Sequence, residues 1–93
     1  MNASNINYFV KVDDFFTVIK AVKNGSTIKE TCFKYEEMGA ICARGGDYKK
    51  ECKANLIANL PIMHYAFSVE QKYGEWVLVS RETVVSIMSI LNA

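Results

Sequence analysis

Hydrophobic and polar residues alternate with two different periods along the 93-residue chain. Residues 7–12, NYFVKV, are rich in aromatic and β-branched types, which favour a strand. After this strand, apolar residues recur at helical spacing: Phe15, Val18, Ile19 and Val22. Asp13-Asp14 can cap the start of such a helix and Asn24-Gly25 can end it. The pattern therefore predicts a short strand that runs into a helix.

The next two segments differ in how clearly they indicate a structure. Residues 26–38 fit a helix with a Thr27-x-x-Glu30 capping box, but their β-branched start also alternates between two faces and allows a strand. We favour the helix and keep the strand as an alternative. Residues 47–60 give the clearest helix, which Asp47 caps and Pro61 stops. Its apolar stripe consists of Tyr48, Cys52, Leu56 and Leu60.

The C-terminal third changes to a period of two. Residues 62–70, IMHYAFSVE, alternate as a strand does, and residues 75–80, EWVLVS, can pair with them, which predicts a hairpin over 62–80. In that hairpin Trp76 lies beside Phe67 in the core, and Val77 and Val79 lie on the opposite face. Ser80 then caps a closing helix. The apolar positions of this helix are Val84, Ile87, Met88 and Leu91.

These elements predict a single α+β domain over residues 1–93. We expect a small antiparallel sheet of about three strands, packed with three to four helices. The face that carries Val77, Val79 and Ala66 is also partly apolar, so it must meet a helix or another chain. A homodimer is therefore expected to be more favourable than a monomer.

Composition excludes several classes of protein. Half of the residues are hydrophobic (51%) and only one is proline, which favours a packed core over disorder. Eleven basic residues balance ten acidic ones, without the excess that nucleic-acid binders carry. Apolar runs are too short to span a membrane, and the N-terminal MNASNINYF lacks the features of a signal peptide. We expect a cytoplasmic protein that does not bind a membrane and needs no cofactor.

The cysteines and the histidine are the first candidates for chemistry. Cys32, Cys42 and Cys52 are ten residues apart, whereas zinc ligands come in pairs two to four residues apart, so no metal site is expected. Cys32 and Cys52 are predicted to be reduced thiols in the core. Cys42, next to Arg44, is the thiol whose pKa a cation could lower. A pairing of Cys42 with His64, the single histidine, is the only nucleophilic arrangement, and nothing in the spacing brings them together. We therefore expect no enzymatic activity.

Two segments suggest binding to phosphate groups. The glycines of ARGGD, residues 43–47, precede a helix, but Asp47 would compete with an anion there, so a plain loop is the better interpretation. Residues 14–38 resemble segments of transposases and repressors, and could form a helix-turn-helix that contacts DNA through Lys29 and Lys34. Three glutamates make the second helix net negative. DNA binding is therefore the alternative hypothesis.

The C-terminal segment GEWVLVSRETVVSIMSIL resembles the ending of many small proteins of bacteriophages and prophages, in which a strand leads through Ser or Pro into a helix. The resemblance implies a protein of a mobile element that binds a host protein complex, such as a nucleic-acid-processing or defence system, and inhibits or modulates it in the host cytoplasm. Aromatic residues and arginine are the usual interface anchors. Our candidate partner-binding residues are Arg44, Tyr48, Tyr73 and Arg81.

Overall fold

The computed structural model describes residues 5–35 and 48–92, with the side chains of 48–51 and 92 left aside. Its strands are β1 (Ile6–Val12), β2 (Phe16–Lys23), β3 (Ser26–Lys34) and β4 (Val77–Val79), and its helices are α1 (Tyr48–Asn59), α2 (Pro61–Tyr73) and α3 (Arg81–Asn92). All four strands form one antiparallel sheet in the order β3-β2-β1-β4. This confirms the α+β class, with one strand more than predicted.

Residues 16–23 form β2, so the helix predicted after Asp13-Asp14 is wrong. The Asp13 carboxylate accepts hydrogen bonds from the backbone N–H groups of Phe15 (2.6 Å) and Phe16 (2.9 Å). These are the bonds of a helix cap, but here they close the loop between β1 and β2. The β-branched residues that follow then favour a strand over a helix.

A two-residue turn, Asn24-Gly25, joins β2 to β3. Both residues have positive φ, 52° for Asn24 and 79° for Gly25, as the hairpin turns that match strand twist require. The strands beyond the turn open with Lys23 opposite Ser26. The helix-turn-helix predicted over residues 14–38 is therefore wrong, because residues 16–34 form a β-hairpin. Residues 36–38 lie outside the described part.

One face of the sheet is buried against the three helices. The strand residues of this core face alternate along each strand, and they join apolar side chains of α1, α2 and α3 in one cluster. From the sheet the buried residues are Val10, Val12, Ile19, Phe33, Val77 and Val79; from the helices they include Leu56, Met63, Phe67, Val84, Ile87 and Leu91. Val77 and Val79 thus face this domain's own helices rather than a second chain.

The hairpin predicted over residues 62–80 is wrong, because residues 61–73 form α2. Pro61 occupies the first turn of α2, where a missing N–H costs nothing. Met63, Ala66 and Phe67 are buried, and their spacing is that of one helix face. Gly74 ends the helix with a φ of 65°, in the left-handed conformation. The period-two pattern in 62–70 was a coincidence of residue types.

The other four elements agree with the sequence, beginning with β1, where a strand is predicted over residues 7–12. The predicted helix over 47–60 is α1, with Leu56 fully buried, and the predicted strand over 75–80 contains β4. Ser80 caps α3 as expected, since its Oγ accepts a hydrogen bond from the backbone N–H of Thr83 at 3.1 Å. β4 pairs with β1, however, and not with residues 62–70. Met88, an apolar position of the predicted closing helix, is 40% exposed.

Tyr35 and Thr17 form the polar contact of the core. Both are fully buried, and their hydroxyl groups share a hydrogen bond of 2.8 Å. Burial raises the pKa of Tyr35 well above its usual value, while the hydrogen bond from Thr17 opposes this shift. Tyr35 also donates its backbone N–H to the carbonyl of Phe15, at 2.9 Å. The end of β3 is thereby fastened to the start of β2.

We expect the substitution Tyr35→Phe to lower the free energy of unfolding by about 1–3 kcal/mol, because it leaves the buried Thr17 hydroxyl without a partner. Since the Tyr35 pKa is raised on folding, the phenol ionises more readily in the unfolded chain, and stability falls as pH rises above about 10. Urea denaturation at neutral pH and across the alkaline range measures both effects. The control is Tyr73→Phe, at an exposed tyrosine. A wild-type alkaline loss of stability that is equally steep in Tyr35→Phe would contradict this account.

Candidate functional site

The strand residues that point away from the helices form what we call the open face of the sheet. No helix of the described residues packs on it, because the buried helix residues all join the cluster on the core face. Leu78, on the edge strand β4, is 60% exposed. The apolar members of the open face include Phe9, Val18, Val22, Trp76 and Leu78, and its charged members are Lys11, Lys20, Glu30 and Lys34. Within residues 5–35 and 48–92 nothing covers this face, and its character is mixed apolar and basic.

At one end of the open face lies a lysine–aromatic cluster of Phe9, Lys11, Lys20 and Trp76. The Lys20 Nζ lies 4.1 Å from the centre of the Trp76 ring and 5.6 Å from that of Phe9. The Lys11 Nζ lies 5.9 Å from the Trp76 ring. Within the described residues, no carboxylate is within ion-pair distance of either lysine. The rings hold both ammonium groups in place without neutralising them.

This cluster arises directly from the strand register. Phe9 on β1 lies opposite Lys20 on β2, and on its other side opposite Leu78 on β4. Trp76 directly precedes β4, so its ring lies along the same face. Trp76 was expected in the core, but it is only half-buried. Two cations held beside a partly exposed indole can bind carboxylate groups and, at the same time, contact apolar side chains.

A polar cleft of about 490 Å³ lies on the opposite side, where the β1–β2 loop meets α1 and α2. Lys53 donates a hydrogen bond to Asp14 at 2.8 Å across it, and its Nζ also lies 5.1 Å from the Phe67 ring. One carboxylate oxygen of Glu70 is buried without a partner, and His64 lies exposed at the edge. Among the described residues no three potential ligands are close enough to hold a metal ion. The ion pair between Lys53 and Asp14, which spans the cleft, connects α1 to the β1–β2 loop.

An apolar groove of about 310 Å³ separates α3 from the far ends of β2 and β3. Its walls include Ala21 and Ile28 from the sheet, and Val85 and Met88 from the helix. Ile28 has no counterpart on β2, because the register shifts between Ala21 and Val22. The bulge turns Ile28 outward, where more than half of it is exposed.

The residues predicted to bind partners or DNA are spread over the molecule. Tyr73 is exposed at the end of α2, and Arg81 is exposed at the start of α3 beside the apolar groove. Lys34 belongs to the open face, whereas Lys29 lines the groove on the core side. Arg44 lies outside the described residues, and so does the side chain of Tyr48. Among the described predicted residues, Lys29 and Arg81 line the same groove, whereas Lys34 and Tyr73 lie elsewhere.

The open face was missed because residues 16–23 were read as a helix. Once these residues are treated as a strand, Val18, Lys20 and Val22 fall on one face by simple alternation. The same alternation in NYFVKV places Phe9 and Lys11 together. The signal that could have revealed the surface was therefore Asn24-Gly25 between two alternating segments, which is a strong indication of a hairpin.

The predictions for the cysteines are corrected in two respects. Cys32 is a free thiol, but it is exposed on β3 and not in the core. Cys52 is buried on α1 as predicted, but it takes part in a disulfide bond and is not a reduced thiol. Cys42 lies outside the described residues. Chemical labelling should therefore distinguish Cys32 from the other thiols.

No known protein family, curated protein or solved structure matches this chain. Among the helices that the structure describes, none is long and apolar enough to cross a membrane.

We expect Cys32 to react with iodoacetamide in the folded, unreduced protein, and Cys52 to react only after reduction in denaturant. Cys32 is the free thiol, and Cys52 is protected by its disulfide. Intact-mass spectrometry counts the added groups, and peptide mapping identifies the labelled residue. Labelling of Cys52 without reductant would show that the disulfide does not form.

We expect Lys20→Met to lower the free energy of unfolding by about 0.5–1 kcal/mol, because the ammonium group over Trp76 is lost while the apolar stem is kept. The matched control is Lys23→Met, at an exposed lysine of the same strand. Chemical denaturation followed by circular dichroism measures both variants. In the background Trp76→Leu, the substitution Lys20→Met should lose its effect; an unchanged effect there would mean that the ring does not stabilise the lysine.

Proposed function

We propose that the protein is a non-enzymatic binding domain whose open face holds an acidic surface of a partner protein. The observation that supports this most is the lysine–aromatic cluster, in which the Lys11 and Lys20 ammonium groups lie over rings and form no ion pair among the described residues, although Glu30 stands opposite Lys20 in the sheet. A side chain that is already ordered loses less entropy on binding than a mobile one. Such lysines are suited to recognition.

The charge and shape of the open face indicate the chemistry of the partner. Three lysines and one glutamate make it net positive, so a complementary surface carries Asp or Glu side chains. Leu78 and the exposed part of Trp76 lie between these charges and supply apolar contact area. Aromatic side chains surrounded by polar groups are the usual centre of protein interfaces.

Two observations favour a protein over a nucleic acid. Single-stranded nucleic acids bind mainly by stacking bases on exposed rings. Here Lys20 already lies against the Trp76 ring, so a base would have to displace it. The chain also carries a net charge of only +1. The helix-turn-helix alternative is not retained, since its residues form β2 and β3.

The finer part of the proposal concerns the biological setting. The phage-like C-terminal ending, now seen as β4 followed by α3, supports a partner that is a host protein complex, which the domain inhibits or modulates by covering it in the cytoplasm. The Cys52 disulfide argues against this location, because cytosolic thiols are normally kept reduced. Labelling of thiols in rapidly quenched cells decides the matter: a reactive Cys52 thiol supports the cytoplasm, and a protected Cys52 supports an oxidising compartment.

We expect the double substitution Lys11→Gln/Lys20→Gln to weaken partner binding by at least roughly tenfold, because it removes both positioned charges from the face. Tagged protein first captures its partner from a nuclease-treated bacterial lysate. The captured protein is then purified and titrated against each variant by calorimetry. Binding should also weaken as salt is raised.

The control removes the same number of charges from the sheet away from the open face, in Lys23→Gln/Lys29→Gln. This variant should bind the captured protein as tightly as the wild type does. Equal loss in both double variants would show that only overall charge matters, and the proposal would fail. It would also fail if a single-stranded oligonucleotide bound in the absence of protein and depended on Lys11 and Lys20.

A further inference from the structure

β3 is the outer strand of the sheet, and its far edge is not paired with any strand of the described residues. It is nine residues long, and most of its residues are exposed. β4, at the other edge of the sheet, has only three residues. A long, exposed edge strand presents a row of free backbone N–H and C=O groups that another strand can pair with. The exposed edge of β3 is therefore a pairing surface.

We propose that this edge pairs with β3 of a second copy of the chain, antiparallel and centred on Cys32. The inference does not depend on what the open face binds. It follows from the way in which a two-fold axis and the charges of β3 restrict the pairing.

Symmetry restricts which residues can lie opposite one another. Two identical antiparallel edge strands are related by a two-fold axis perpendicular to the sheet, so each face of one copy continues as the same face of the other. Directly opposed side chains point to the same face of a sheet. Residues of the open face, such as Glu30, Cys32 and Lys34, must therefore lie opposite residues of the open face. In such a pairing one residue lies opposite its own copy, and the axis passes midway between these two copies.

The charges then select one centre. Glu30 and Lys34 lie two residues on either side of Cys32, on the same face. With Cys32 on the axis, Glu30 of each copy faces Lys34 of the other, which gives two cross-strand pairs of opposite charge. Such pairs stabilise a sheet, whereas like charges directly opposed destabilise it. Residues 29–34, beyond the bulge next to Ile28, pair regularly with β2, so this alternation holds throughout.

The neighbouring centres lack this match. With Glu30 on the axis, two glutamates oppose each other. With Thr31 on the axis, Glu30 faces Cys32 and finds no cation. With Phe33 on the axis, Lys34 faces Cys32 and finds no carboxylate. Edge strands normally use charge to prevent pairing. On β3, of the symmetric registers that we compared, only the one centred on Cys32 brings opposite charges together.

Cys32 reports the pairing directly. Directly opposed residues of antiparallel strands have Cα atoms about 4.5–5.5 Å apart, which lies within the range that a disulfide bond spans. Cys32 is free and exposed, so it is available for cross-linking. In the paired state, mild oxidation should join the two copies through this residue.

The first experiment combines light scattering with oxidation by diamide. Two Cys32 thiols lose two protons and two electrons to diamide, which is reduced to the hydrazine as the S–S bond forms. We expect a concentration-dependent dimer that diamide traps covalently, and no covalent dimer from Cys32→Ser, which should still dimerise without the cross-link. A protein that stays monomeric at all concentrations and is not cross-linked would overturn the proposal.

The second experiment tests the register by exchanging charges. Glu30→Lys and Lys34→Glu each turn both cross-strand pairs into like-charge pairs, and each should weaken dimerisation by about tenfold. The double variant Glu30→Lys/Lys34→Glu restores two opposite pairs and should dimerise like the wild type. The control Lys23→Glu changes the same charge on β2, away from the edge, and should have little effect.

Circular dichroism tests whether each variant is folded. We expect all of them to fold, because the substituted positions are exposed. If the double variant dimerises no better than the single ones, the strands do not pair about Cys32. A dimer that forms equally well in all variants would place the interface elsewhere, and would also overturn the proposal.

Discussion

Burial of one face of a four-stranded sheet is the constraint on which this structure depends. Val10 and Val12 on β1 are completely buried, and each contributes about 1.5–3 kcal/mol relative to an exposed position. A chain of this size has a single core, so α1, α2 and α3 all have to pack on this face. Thr17 and Tyr35 can be buried there because their hydroxyl groups satisfy each other.

The same alternation that builds the core also builds the surface. Because neighbouring residues of a strand point to opposite faces, the position of Val10 and Ile19 in the core places Phe9 and Lys20 together on the outside. The lysine–aromatic cluster thus needs no loop or additional element to hold it. The sheet backbone alone places Phe9, Lys11 and Lys20, which suits a surface that binds without a change of backbone.

The sequence predicts an element correctly where its residue types, its hydrophobic period and its boundary residues all indicate the same structure. β1, α1 and the capped α3 have composition, period and boundary residues that all indicate the same element, and they were predicted correctly. Residues 16–23 carry apolar residues compatible with both periods, and only the Asn24-Gly25 turn distinguishes them. In 62–70 the two periods also overlap, and the tertiary contacts of Met63 and Phe67 decide the outcome.

The candidate surfaces were less predictable than the fold for a related reason. Phe9 and Lys20 lie on two strands and Trp76 directly precedes a third, and their proximity depends on the order β2-β1-β4, which no local pattern specifies. Residue type alone pointed to Tyr73 and Arg81, which are exposed but do not lie on the open face. Because residues 16–23 were predicted to be a helix, the open face as a whole could not be predicted, although its residues alternate along the strands.

The placement of β4 has a consequence for how the chain folds. β1, β2 and β3 are joined by short turns, so their pairings close small loops and can form quickly. β4 lies beyond α1 and α2 in the sequence, and it pairs with β1 at the start of the chain, with Tyr8 opposite Val79. Trp76 immediately precedes this strand, so its fluorescence reports the last and most distant contact of the sheet. We expect the rate at which that signal changes to follow the closure of the loop between β1 and β4, which is longer than the other two loops of the sheet.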